Sequence, residues 1–206
     1  MKRMLTPAVS FLGLTAVMVA AGLGRRSGLL DATVTFRILG ACLGLMAVVT
    51  GNFLPKMRPL GAGALDSERA AAAERRAGWL LVLMGLALVG LFVLAPPALA
   101  RWVSSIVALA GVGLIELDWI WTAWTARSVS VGAARPQSAA ARERRTLAGW
   151  LLFGLSYVLV TASLKFLTSD SPRFRELAMW SVVGFAITFS VLYALLDFRR
   201  RGWDVR

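Results

Sequence analysis

Histidine is absent from this 206-residue sequence, and cysteine occurs once, at Cys42. Without histidine there can be no Ser-His-Asp triad, no Cys-His pair and no histidine-bound metal, and a single cysteine cannot close a disulfide within the chain. Acidic residues are also scarce, 11 against 23 Lys and Arg, which leaves a net charge of +12. Any enzymatic chemistry would have to run on carboxylates, Lys165 or arginines alone. The chain therefore reads as non-enzymatic, with no metal and no cofactor. Cys42 sits between Ala41 and Leu43 in an apolar run. It reads as a small packing residue, with a reactive thiol as the remote alternative.

What the chain has in excess is apolar surface. At 58% hydrophobic residues, it has more than a soluble domain of this size could hide, which points to a membrane protein. Binding of nucleic acid would need Lys and Arg gathered on a soluble face together with a binding motif. The cations instead occupy short segments between apolar runs, where they anchor helices at the headgroups, so nucleic acid is excluded as a partner and the lipid bilayer is expected. Spanning the hydrocarbon core takes about 20 largely apolar residues. Six runs qualify, roughly Leu5–Leu23, Arg37–Leu54, Ala77–Leu94, Trp102–Ala123, Leu147–Leu167 and Leu177–Leu196. The fold expected is all-α, a polytopic bundle of six transmembrane helices forming one domain over residues 1–206.

Sixteen of the 23 cations fall at the N-terminus, in the second and fourth connections and at the C-terminus, and seven on the other side. The positive-inside rule then puts both termini in the cytoplasm, consistent with a bacterial cytoplasmic-membrane protein. A competing expectation is that Lys2, Arg3, the first apolar run and Val19-Ala20-Ala21 form a cleaved secretory signal. The run is longer than a signal core, so an uncleaved first helix is favoured. Trp79, Trp102, Trp150 and Trp203 lie at span ends, the depth where indole rings settle.

AAAERRAGWLL (71–81) and AAARERRTLAGWLL (139–152) echo one another. Each reads as a short helical lead-in along the membrane surface, the first with Asp66 or Ser67 as N-cap. A duplicated hairpin and a recipe used twice both account for the echo.

The strongest chemical signal inside the membrane is Glu116 with Asp118. An acidic side chain at that depth costs a few kcal/mol on insertion scales and usually has a task or a partner. Residues two apart on a helix point in nearly opposite directions, so the two cannot act as a pair on one face. A proton or cation site centred on the deeper Glu116 is one reading. The other is an interhelical contact to a hydroxyl or a cation on a neighbouring helix, with Ser156, Tyr157, Thr161, Thr188 and Ser190 as candidate hydroxyl partners. Trp119, Trp121 and Trp124 follow, either as an acidic-aromatic pocket for a cationic ligand, with Trp119 beside Glu116, or as an interfacial belt.

GNFLPKMRP (51–59) ends the second span. Gly51 is expected to loosen the last turn, and Pro55 to end or bend the helix at Leu54. Lys56 and Arg58 would then meet anionic headgroups. A plain stop signal explains Pro55, Lys56 and Arg58 but not Asn52. The stretch resembles the GNYLPK-x-RP helix end of the SdpI-like membrane proteins, and Glu74-Arg75-Arg76-Ala77-Gly78 stands where that family has its following charged segment. The resemblance covers roughly residues 40–95, and Leu60-Gly61-Ala62-Gly63-Ala64-Leu65 replaces the family's Gly-Ile-Arg-Thr-Pro-Trp-Thr stretch. It implies immunity to a secreted membrane-active peptide and signalling through a cytoplasmic regulatory protein, with Asn52, Pro55, Lys56 and Arg58 in a functional loop. A small proton- or cation-coupled transporter using Glu116 and Asp118 is the alternative.

Overall fold

The computed structural model describes residues 5–54, 67–129, 155–163 and 171–201, and among these there is no strand. The helices are α1 (Leu5–Arg26), α2 (Ala32–Phe53), α3 (Ser67–Leu94), α4 (Pro97–Val129), α5 (155–163) and α6 (Pro172–Arg201). Stretches of α1 to α4, of 18 to 26 residues, are long and apolar enough to cross a membrane. The chain is thus an all-α membrane protein of six helices. Of the fifth expected span, only residues 155–163 fall within the described residues.

Each boundary has a local cause. Gly28, at φ +77°, ends α1 in the left-handed conformation that glycine adopts without a steric penalty, and the Leu29 and Leu30 amides donate back to the Gly24 carbonyl. Asp31 then caps α2, its carboxylate accepting from the Val34 amide at 2.7 Å. The second helix therefore starts at Ala32, five residues before the expected Arg37. Arg37 is not the outer edge of the span. It lies more than a turn inside α2 and reaches across to donate to the carbonyls of Val93 (2.6 Å) and Ala95 (3.4 Å). Those carbonyls belong to the end of α3, where Pro96 and Pro97 leave them without helical donors. Arg37→Gln is expected to cost about 1 kcal/mol, since a charged donor is lost from carbonyls that water reaches only in part. Hydrogen exchange should show faster opening of the amides around residues 91–98, while those around Gly51 stay protected.

The third helix also starts early. The expected lead-in is not a separate surface helix but the first turns of α3, continuous from Ser67. Alanine has the highest helix propensity, and no proline interrupts the stretch, so the backbone has no reason to break at Ala77. The fourth span begins at Pro97 rather than Trp102, with proline in the first-turn position where its missing N–H costs nothing.

The bundle is built outward from α2, half of whose span is buried against 22% for α4. α2 packs on α3 and α1, α3 on α4, and α1 on α6. α5 joins through Tyr157, whose hydroxyl donates to the Leu43 carbonyl at 3.1 Å and whose ring stands edge-on to Phe185. Five helices meet around a cavity of about 10 Å³ lined by Met46, Thr50, Met84, Val112, Tyr157 and Phe185, among others. That volume is at the lower limit for one water molecule.

Lipid tails are as apolar as leucine, so helix association here rests on close packing rather than on removal of apolar surface from water. Glycines provide it. A Cβ on Gly44 would lie 2.8 Å from the Gly85 carbonyl oxygen, and one on Gly51 would collide with the Gly78 carbonyl. Both contacts fit one antiparallel register: seven residues forward on α2 is seven residues back on α3. Near the other end, the ring of Phe92 fills the notch left by Gly40 and meets Phe36 edge-on at 5.0 Å.

Candidate functional site

The functional stretches converge at the end of the bundle where α2 finishes and α3 begins. Gly51 is buried there against α3, so its role is close approach rather than a loosened turn. Asn52, on the next position round the helix, is exposed. Leu54 is buried and keeps helical dihedrals, with its amide donating to the Thr50 carbonyl, rather than the extended backbone that a following proline favours. Pro55, Lys56 and Arg58 lie outside the described residues. The contact of Gly51 with Gly78 sets Gly51, the first residue of GNFLPKMRP, against the ERRAG segment, residues 74–78.

Two residues before Gly78, Arg76 faces α4. Its Nε donates to Asp118 Oδ1 at 2.9 Å, and Nη2 donates to Thr122 Oγ1 at 3.2 Å. Thr122 in turn donates to the Asp118 carbonyl at 2.7 Å. The depth follows from helix length. Arg76 lies about 27 Å along α3 from Leu94, and Asp118 about 31 Å along α4 from Pro97. Both distances match a hydrocarbon core of about 30 Å, so the ion pair sits at the bilayer boundary. Half of the Arg76 side chain is accessible (51%) and less of Asp118 (23%). A pair that exposed contributes on the order of 1 kcal/mol or less. It fixes the register of α3 on α4 more than it adds stability.

Glu116 is placed differently. It is one turn from Val112, which lines the central cavity, and its Oε2 is enclosed without a hydrogen-bond partner among the described residues. Asp118 Oδ2 is likewise enclosed and unpartnered. Glu116 therefore holds an enclosed acceptor about 3 Å along the helix from Asp118 toward the membrane centre. Trp119 lies on α4 between them and Thr122, and its side chain is outside the described residues.

Two of the expected hydroxyl partners serve other groups. Tyr157 bonds the Leu43 carbonyl, and Thr161 donates to the Tyr157 carbonyl at 2.8 Å. The partner of Asp118 is a cation, one of the two kinds expected, but the sequence does not single out Arg76, because a cation in a charged lead-in looks like a topology anchor. A usable signal was present: Arg76 and Asp118 are nearly equidistant from the Pro96-Pro97 turn, which sets them side by side in an antiparallel hairpin.

No known family, curated protein or solved structure matches the chain. The resemblance over residues 40–95 therefore rests on those residues themselves.

Proposed function

We propose that the protein is a non-enzymatic membrane protein of SdpI type in a bacterial cytoplasmic membrane. It protects its host from a membrane-active peptide, or signals through a cytoplasmic regulatory protein, by way of the segment that follows α2. Both termini and that segment face the cytoplasm in this reading, on the strength of the cation distribution. The observation that carries the proposal is the contact of Gly51 with Gly78. It joins the two stretches that bear the resemblance, GNFLPK and ERRAG, at one end of the bundle on the most closely packed helix pair.

The decisive experiment is survival of a sensitive bacterial host challenged with membrane-active peptides, at matched membrane levels of each variant. Asn52→Ala combined with Lys56→Ala is expected to abolish protection, with survival falling to that of the host alone, while Glu116→Gln retains it. Equal protection by both variants, or none by the unaltered protein across a broad peptide panel, would overturn the proposal.

A second reading is favoured by one observation, the enclosed and unpartnered Oε2 of Glu116. Intramembrane carboxylates that face protein mark proton and cation pathways. A proton- or cation-coupled carrier should lose flux in Glu116→Gln, measured in proteoliposomes with a pH-sensitive dye, and should tolerate the Asn52 and Lys56 changes.

A further inference from the structure

We infer that the start of α3 is a binding site for an anionic phospholipid, with the lipid phosphate held between Arg75 and Arg76 and an acyl chain laid along Trp79, Leu83 and Leu86. The placement follows from helix geometry. At roughly 100° per residue, Arg75 and Arg76 open a fork on the helix surface, and Trp79, Leu83 and Leu86 all project from the arc between its prongs. The three apolar side chains are 68%, 59% and 54% exposed and lie at successive depths below the fork. The chain thus presents cations at the bilayer boundary with a continuous apolar track leading inward from them, the arrangement that matches a lipid with a charged head and a long tail.

The charges are available for a ligand. Asp118 engages only Nε of Arg76 and Thr122 only one N–H of Nη2. Three of the five guanidinium N–H groups remain without an acceptor among the described residues. Arg75 is exposed and makes no hydrogen bond or ion pair among the described residues. The Asp118 and Thr122 contacts hold the Arg76 fork in one orientation, so less side-chain entropy is lost when a phosphate oxygen docks on it. Asp118 neutralises one charge of the two and leaves one unopposed. A zwitterionic lipid brings its own cation to that place, and an anionic lipid does not, which gives the preference its sign. Trp79 adds an indole at the depth where its N–H can reach the glycerol region.

The test uses the full chain in detergent, incubated with equal amounts of phosphatidylglycerol and phosphatidylcholine of identical acyl chains, with bound lipid counted by native mass spectrometry. The protein is expected to retain phosphatidylglycerol in preference to phosphatidylcholine by about fivefold, from the one unopposed charge. Arg75→Gln should remove most of that preference, and Arg75→Gln with Arg76→Gln should leave none. An excess of inorganic phosphate should leave it intact. Arg75 has no partner to lose among the described residues, so the single variant remains informative even where the double variant fails to fold. An unchanged lipid ratio in Arg75→Gln would overturn the inference. Displacement of the lipid by inorganic phosphate would also overturn it, and would assign the fork to a soluble phosphate.

Discussion

Gly44→Leu and Gly51→Leu are each expected to destabilise the folded protein by about 3 kcal/mol and to deplete it from membranes. Two opposed effects decide the sign. Replacing glycine by leucine inside a helix gains roughly 0.5–1 kcal/mol of propensity. Against that, a Cβ at residue 44 lies 2.8 Å from the Gly85 carbonyl oxygen and 3.0 Å from the Val89 amide nitrogen. One at residue 51 meets the Gly78 carbonyl, with the Val82 amide nitrogen at 2.9 Å. These are backbone atoms of a helix and cannot rotate aside, so the two helices must separate along their length. Separation forfeits the dispersion contacts that hold the pair in a solvent that supplies no hydrophobic drive. Gly113→Leu is the control: nothing lies within 4 Å of its Cβ position, and the change should leave stability within about 0.5 kcal/mol or raise it slightly. Thermal unfolding of the detergent-solubilised variants gives the comparison. Equal melting temperatures for the substitutions at 44, 51 and 113 would sink the glycine-contact account.

Phe92→Ala is expected to be the most damaging aromatic truncation among the described residues, at roughly 3–5 kcal/mol. Phe92 is 1% exposed, fills the notch at Gly40 and stands edge-on to Phe36. Removing the ring leaves a hole between α2 and α3 that rigid neighbours cannot close. Gly40→Leu should be damaging for the reverse reason, because its side chain needs the space that the ring occupies. The two changes together should cost less than their sum by about 1–2 kcal/mol, since the leucine enters the hole the phenylalanine left. A double-mutant cycle measures the coupling directly. Simple additivity would mean that the ring and the notch do not share one space.

The sequence made the architecture legible because transmembrane helices carry their signal in length and hydropathy, and both survive without tertiary information. The ends were less legible. Arg37 looked like a boundary because charge at a span edge usually is one, yet its long side chain let α2 begin five residues earlier at Ala32. The lead-in of α3 looked like a surface helix because its composition is amphipathic, yet nothing in it breaks the backbone. At the site, Glu116 and Asp118 could be marked as unusual from their depth, but their environments could not be separated. That separation depends on which neighbour lies opposite: Arg76 stands against Asp118 and makes no bond to Glu116. The glycine contacts are a different case. Gly44 with Gly51 and Gly78 with Gly85 share a spacing of seven residues, which is visible in the sequence, but only the antiparallel register shows that the two pairs meet.

That register also bears on the order in which the protein assembles. The contact nearest the α2–α3 connection, Gly51 with Gly78, closes over 26 intervening residues, and loop-closure entropy rises only slowly with such a length. Low sequence separation favours early formation. The α2–α3 hairpin can therefore zip from Gly51 and Gly78 toward Gly40 and Phe92 as soon as α3 has emerged from the ribosome and entered the bilayer, before α4 has been synthesised. The later helices then add to a finished two-helix seed, and an error at a glycine would be exposed to cellular quality control while most of the bundle was still unmade.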